Sequence, residues 1–347
     1  MINRQARPSA ALLALLLALT PCLLSSCASA APSRYEASFF DVFDTYSRVI
    51  VYATSKEQAD AWLGLAHEQL VLYHKLYDIY HEYADVVSLC ELNRLAPLSP
   101  VSVDKRTMDL LLFSKEMHHL TGGRTNIAMG SVLSLWHDAR EFGLDHPENA
   151  ALPYSVALRD AALHMDMNDL VLDAQNGTVF FSDPGLRLDV GAVAKGYATE
   201  RVARTLIENG VTSALLSIGG NVRSIGLRGD GSAYRTAIQN PDLASQQQAL
   251  LVLELRDQSL VTSGSYQRFY TVDGKPYHHI IDPDTLMPAD YLLSVSVVTE
   301  DGGLADALST ALFTLPVQKG QALLQTLAGV EAVWVLPDGS VVKSGGL

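Results

Sequence analysis

Residues 188–200 read LDVGAVAKGYATE, and residues 214–221 read ALLSIGGN. A strand ends at Asp189, Gly191 lets the backbone turn closely, and Ala192 to Asn209 is helical until Gly210 stops it. The apolar strand Ala214–Ile218 then runs into Gly219-Gly220-Asn221. Strand, helix and strand thus follow one another within some thirty residues, and the same reading extends in both directions. Upstream lie a strand at Arg48–Tyr52, helices at Glu57–Tyr80 and Lys105–Leu120, an amphipathic helix at Ser131–Phe142 around Trp136, and a further helix near Val156–Leu163. The strands Leu170–Asp173 and Thr178–Phe181 flank Asn176-Gly177 as a hairpin. Downstream, strands at Leu250–Leu255, Leu293–Val298 and Val330–Val335 alternate with helices at Leu304–Leu315 and Lys319–Leu327. The order is neither strict β-α alternation nor all-β. It predicts an α+β fold with mixed, mostly antiparallel sheets and helices packed on their faces.

The chain has 347 residues, 48% hydrophobic and 18% charged, enough to bury a large core. It shows no internal repeat and no mid-chain linker, so residues 35–347 read as a single unit. The N-terminus is separate. Arg4 and Arg7 precede the apolar run Ala10–Leu24, which is short for a membrane span and reads as a secretory signal. Leu24-Ser25-Ser26-Cys27 resembles a lipobox, in which Cys27 is acylated after residues 1–26 are removed. The alternative is an ordinary signal peptide cut near Ala28–Ala30. Residues 27–34 then form a small-residue linker, and both readings place the protein outside the cytoplasm. Of three cysteines only Cys90 would remain unmodified, so no disulfide framework is expected. The chain carries 25 basic and 38 acidic side chains; losing Arg4 and Arg7 moves its net charge from −13 to −15, which disfavours nucleic acid as a partner.

Several short segments place polar chemistry among core-like neighbours. Residues 277–283 read YHHIIDP, where the proline favours an extended Asp282 at a strand end and alternation puts His278 and His279 on opposite faces. A histidine near its ordinary pKa can act as a general base, oriented by a carboxylate. In LADALSTALF, residues 304–313, Asp306 and Thr310 stand four apart on one helical face, a spacing that suits Mg²⁺. A helix-terminal acid favoured by the dipole would also explain Asp306. Gly219-Gly220 allows close backbone approach to a ligand or simply makes a tight turn. The order glycine, lysine, Ser/Thr of a phosphate loop is missing around Lys195, as are H-E-x-x-H, cysteine clusters and G-x-S-x-G.

With Thr262-Ser-Gly-Ser-Tyr-Gln-Arg-Phe-Tyr270, His279-Ile-Ile-Asp-Pro-Asp-Thr285, Ala305-Asp-Ala-Leu-Ser-Thr310 and Gly191–Tyr197 in this order, the chain resembles the ApbE family of FAD:protein FMN transferases from about Tyr35 to its end. The resemblance implies an ApbE-like (T-fold-like) catalytic unit that moves FMN from FAD to a Ser or Thr hydroxyl of an acceptor protein and releases AMP. It implies Mg²⁺ on Asp306, Thr310 and the backbone oxygen of Ala192, and His279 as base with Asp282 nearby. Phe43, Tyr80, Arg124, Thr125, Asn126, Asp189, Lys195 and Ile281 match flavin-contact positions. It departs in three places: Phe43-Asp44-Thr45 stands for the usual Met-Gly-Thr, Asn126 for an aspartate, and Thr285-Leu286-Met287-Pro288 for Thr-Gly-x-Pro. The implied partner is an extracytoplasmic redox subunit beside a lipid-anchored enzyme. A metal-dependent FAD pyrophosphatase and a non-catalytic flavin-binding lipoprotein are the competing readings.

Overall fold

The computed structural model describes residues 31–347. The signal peptide, Cys27 and the start of the linker lie outside the described residues. Fifteen strands and eight α-helices follow in chain order: β1 (Ser33–Phe39), β2 (Ser47–Ala53), α1 (Lys56–Tyr77), α2 (Leu89–Leu95), β3 (Val101–Ser102), α3 (Lys105–Leu120), α4 (Gly130–Asp145), α5 (Ser155–Ala161), β4 (Leu170–Asp173) and β5 (Thr178–Phe181). Then come α6 (Ala194–Glu208), β6 (Ala214–Ile218), β7 (Asn221–Ile225), β8 (Tyr234–Gln239), β9 (Ala249–Leu255), β10 (Ser259–Gly264), β11 (Phe269–Val272) and β12 (Lys275–His278). The chain closes with β13 (Ser294–Thr299), α7 (Gly302–Phe313), α8 (Val317–Leu324), β14 (Glu331–Val335) and β15 (Val341–Lys343).

An eight-stranded sheet in the order β1-β2-β6-β7-β10-β13-β14-β15 forms the frame, and each of its pairings is antiparallel. The expected α+β class, with antiparallel sheets and packed helices, is what the chain adopts. One face of the frame carries α1, α6 and α7. There Val49, Val51, Leu216 and Ile218 meet Leu63 and Leu70 of α1 and Ala198 and Val202 of α6, all buried. The β8–β9 hairpin covers part of the other face, where Val222, Leu260, Val298 and Val333 pack against Tyr234 and Leu255. Helix α7 is apolar almost all round and correspondingly buried: Ala307 faces one core cluster, Ala305, Leu308 and Leu312 another.

Among the boundaries that differ from the sequence reading, two bear directly on site residues. Helix α1 stops at Tyr77 instead of Tyr80, because Asp78 is extended and its carboxylate accepts the N–H groups of Tyr80 (2.7 Å) and His81 (3.2 Å) and the Tyr83 hydroxyl (2.7 Å). Tyr80 therefore stands on a loop pinned from below. Strand β12 ends at His278, so His279 and Asp282 follow the strand rather than alternate within it.

Candidate active site

Helices α6 and α7 cross at Gly196. A methyl there would lie 2.3 Å from the Gly302 carbonyl oxygen and 2.4 Å from Asp306 Cβ, so only glycine allows the approach. Gly196 is the third residue of α6, and its N–H has no partner within the helix. Asp306 Oδ2 of α7 accepts it at 2.7 Å. Val193, the residue before α6, offers no side-chain cap, so a carboxylate from a different helix does that work. Asp306 is 5% exposed, and burial pushes its carboxyl up to about 6 even though Lys195 and the Gly196 N–H pull the other way.

Below the crossing, a buried ion pair ties the helices to the sheet. Glu200 of α6 accepts from Arg223 Nε of β7 at 2.8 Å and from the Gly302 N–H at 3.1 Å, and Arg204 adds a bond at 2.9 Å. Both oxygens of that carboxylate are thereby hydrogen-bonded, which is the condition under which a buried charge is tolerated.

The crossing forms one end of a cleft of about 440 Å³. Its walls include Tyr80, Arg124, Asn126, Asp189, Ala192, Lys195, His279, Ile281, Asp306 and Thr310, so ten of the expected site residues converge. Asp306, Thr310 and Ala192 all line the cleft, and a carboxylate, a hydroxyl and a backbone oxygen from these residues would make a hard-oxygen set that suits Mg²⁺ with room for waters. Among the described residues no group of three or more His, Cys, Asp or Glu gathers as a metal centre, consistent with a set containing a single acid.

The two histidines divide their roles. His278 is engaged at both nitrogens, Nε2 donating to the Ala289 carbonyl (2.8 Å) and Nδ1 accepting the Ile280 N–H (3.2 Å). His279 directs Nδ1 to the Arg268 carbonyl at 3.2 Å, which makes that nitrogen the protonated one and leaves Nε2 as the acceptor. Desolvation in the cleft first, then the positive charges of Arg268 and Lys195, pull its pKa down to about 3. The ring is neutral at physiological pH.

Three expected residues stand off the wall. Asp282 is not the orienting carboxylate of His279: it is 2% exposed, accepts Arg124 Nη1 at 3.0 Å and the Asp284 N–H at 2.8 Å, and so is occupied by the guanidinium. Arg124 also pairs with Asp284, which fastens the 282–288 loop to the end of α3. Thr125 is buried and donates to the Ala307 carbonyl at 2.6 Å, which makes it a strut between α3 and α7. Phe43 turns its ring edge to His74, and its N–H donates to His74 Nδ1 at 3.2 Å; its neighbours Asp44 and Thr45 line the cleft instead. The departures from family pattern become intelligible here. Asp44 (φ 49°) and Leu286 (φ 58°), where the resemblance leads one to expect glycine, stand in left-handed backbone.

The aromatic end of the cleft was missed as a unit. Leu133, Trp136, His137 and Arg140 line it from α4 at spacings of three, one and three, a single helical face. The Tyr80 ring lies tilted against His137 with centroids 5.1 Å apart, and His137 Nδ1 accepts from Arg140 at 2.9 Å. Tyr270 and Tyr277 close the same end from the β11–β12 hairpin. The clue was that face itself: an aromatic, a histidine and an arginine on one side of an amphipathic helix.

An aromatic chamber joined to an oxygen-lined pocket suits a long ligand with a flat end and a charged middle. A family model described as the ApbE family matches residues 43–334, and the chain belongs to that family. A Treponema pallidum protein named FAD:protein FMN transferase is 34% identical over 94% of this chain and 91% of its own length. A Klebsiella pneumoniae protein of the same name is 29% identical, covering 86% and 92% respectively. Among solved structures, the ApbE protein of Thermotoga maritima superposes with a TM-score of 0.78 at 27% identity, over 90% of this chain and 98% of that one.

Proposed function

We propose that this protein transfers FMN from FAD to a hydroxyl group of an acceptor protein and releases AMP. The observation that carries the reading is a single cleft joining the aromatic chamber, the oxygen set of Asp306, Thr310 and Ala192, and the acceptor nitrogen of His279. The names of its relatives support it.

In this reading the isoalloxazine lies between Tyr80, Trp136 and Tyr270, where planar surfaces suit an aromatic ligand. Lys195, at the start of α6, faces the pyrophosphate, and the positive end of that helix's dipole adds to its charge. Mg²⁺, held by Asp306, Thr310 and the Ala192 carbonyl, would supply charge neutralisation at the phosphates. The acceptor hydroxyl oxygen attacks the phosphorus of the FMN half, and its proton passes to His279 Nε2. The bond from that phosphorus to the bridging oxygen breaks, and AMP leaves with the electron pair. Arg268 fixes the tautomer through its backbone carbonyl, so the base is set by the chain rather than by a neighbouring acid.

A further part of the proposal concerns place. Acylation at Cys27, suggested by Leu24-Ser25-Ser26-Cys27, would tether residues 35–347 as one catalytic unit on the outer side of a membrane, beside an extracytoplasmic redox subunit as acceptor. Among the described residues no helix is long and apolar enough to cross a membrane.

The deciding experiment is the intact mass of a candidate acceptor domain incubated with the protein, FAD and Mg²⁺. A gain of one FMN, abolished by EDTA and lowered by about 10²- to 10⁴-fold in His279→Ala, is expected. Free FMN and AMP without a labelled acceptor in every combination tried would identify a pyrophosphatase instead. Intact FAD throughout would identify a carrier.

A further inference from the structure

Asn221 opens β7 directly after the Gly219-Gly220 turn, is 3% exposed and forms part of the cleft wall. Its Nδ2 donates to the Ile218 carbonyl at 3.2 Å, which fixes the orientation of the amide and leaves Oδ1 as its free acceptor. That oxygen is buried and has no hydrogen-bond partner among the described residues. A buried acceptor left without a donor is costly, and such a group at a site wall calls for the partner that satisfies it.

The register of the sheet shows what Asn221 faces. Leu260 pairs with Val222 and Ser259 with Arg223, so Asn221 comes level with Val261. Val222 packs beneath the β8–β9 hairpin, and alternation therefore turns Asn221 and Arg223 to the helix-bearing face, where Arg223 indeed meets Glu200. Along β10, Ser259 Oγ would lie 3.1 Å from a methyl at Gly302, and Ser263 Oγ lies 2.8 Å from Ser309 Oγ. The strand thus runs beside α7 from Gly302 to Ser309. Val261, and Asn221 beside it, fall at the level of Ala305 and Asp306.

We propose that Asn221 is a further residue of the divalent-cation site, its Oδ1 serving the cation or its hydration shell as an oxygen acceptor beside Asp306. This rests on the cation reading given above. Mg²⁺ retains several waters, each a donor in need of an acceptor, and outer acceptors of this kind orient the shell. Asp306, Thr310 and Asn221 then present three oxygen-bearing side chains to one end of the cleft.

Mn²⁺ binding to the full-length protein in detergent, read by electron paramagnetic resonance without FAD, tests the assignment. FAD affinity in EDTA, from flavin fluorescence, is read in parallel. Asn221→Ala is expected to weaken Mn²⁺ by about tenfold and to leave metal-free FAD affinity within about twofold. Asn221→Asp, which keeps the shape and adds charge, should bind Mn²⁺ at least as tightly as the parent, and it decides the matter if the alanine variant does not fold. Asp306→Ala is the reference and should lose Mn²⁺. If it does so while Asn221→Ala keeps parental Mn²⁺ affinity, the role of Asn221 is overturned, and a fall in metal-free FAD affinity would assign Oδ1 to a nucleotide hydroxyl instead. If Asp306→Ala keeps Mn²⁺ as well, the cation reading of the cleft falls first.

Discussion

At the α6–α7 end of the cleft, polar groups are held by regular elements. Asp306 sits mid-helix, its carboxylate is fixed by the Gly196 N–H, and the crossing beneath it is locked by Glu200 and Arg223. At the Tyr80 end, the walls come from a loop after α1, one face of α4 and a two-stranded hairpin. Tyr80 is 52% exposed and reaches its place because Asp78 folds the loop under it. Rigid backbone suits the end where charge is handled, since the benefit of an oriented dipole or carboxylate is lost with small displacements. Stacking on a flat ring tolerates more movement, so a loop suffices there.

That contrast can be broken in order of severity. Asp306→Ala should reduce FMN transfer by about three orders of magnitude, the scale expected when charge neutralisation at a phosphoryl centre is removed, while metal-free FAD binding persists. Single-turnover transfer and fluorescence titration measure the two. Gly196→Ala drives a methyl into the Gly302 carbonyl and Asp306 Cβ. It should cost about 1–3 kcal/mol in thermal or denaturant unfolding and weaken Mn²⁺ binding, because the crossing that sets Asp306 must open. Acidification should act on the same end. Burial holds the Asp306 carboxyl near 6, so below that pH it carries a proton and no charge. Divalent-cation affinity should then fall by about tenfold for each further pH unit, as protons and cation compete for one carboxylate. A cation affinity flat between pH 7 and 5 would refute the raised value. Tyr80→Ala has the smallest expected effect, about two- to tenfold weaker FAD binding with a nearly unchanged transfer rate at saturation. If it slowed transfer as much as Asp306→Ala, the division between the two ends would not hold.

The same contrast governs what could be read from the chain. Helix α7 and its Asp306–Thr310 pair, strand β6, and α6 as far as Gly210 were legible because 3.6- and 2-residue periods and a terminal glycine are local signals. Gly210 indeed adopts φ 85°. Tyr80, Lys195 and Arg124 were placed in the cleft through the resemblance, not through pattern. What remained hidden depends on pairings distant in sequence. Asp282 lies three residues after His279 in the sequence, yet it is claimed by Arg124, 158 residues upstream. Asn221 looked like the end of a glycine turn until the register with β10 turned its side chain toward α7. The α4 face was legible only as part of an amphipathic helix, and the hairpin opposite shows that it borders a cavity.

Gly196 and Asp306 also bear on descent. A side chain at one position is excluded by the backbone and Cβ of the other helix, and the peptide group of one is the partner of the carboxylate of the other. The two positions, 110 residues apart, therefore form one heritable unit. Any lineage that replaces the acid must also find a new cap for α6, and any that replaces the glycine must separate two helices. Loss of the chemistry by single substitution leaves a damaged scaffold behind it, so a descendant of this fold that has abandoned the reaction should have changed both.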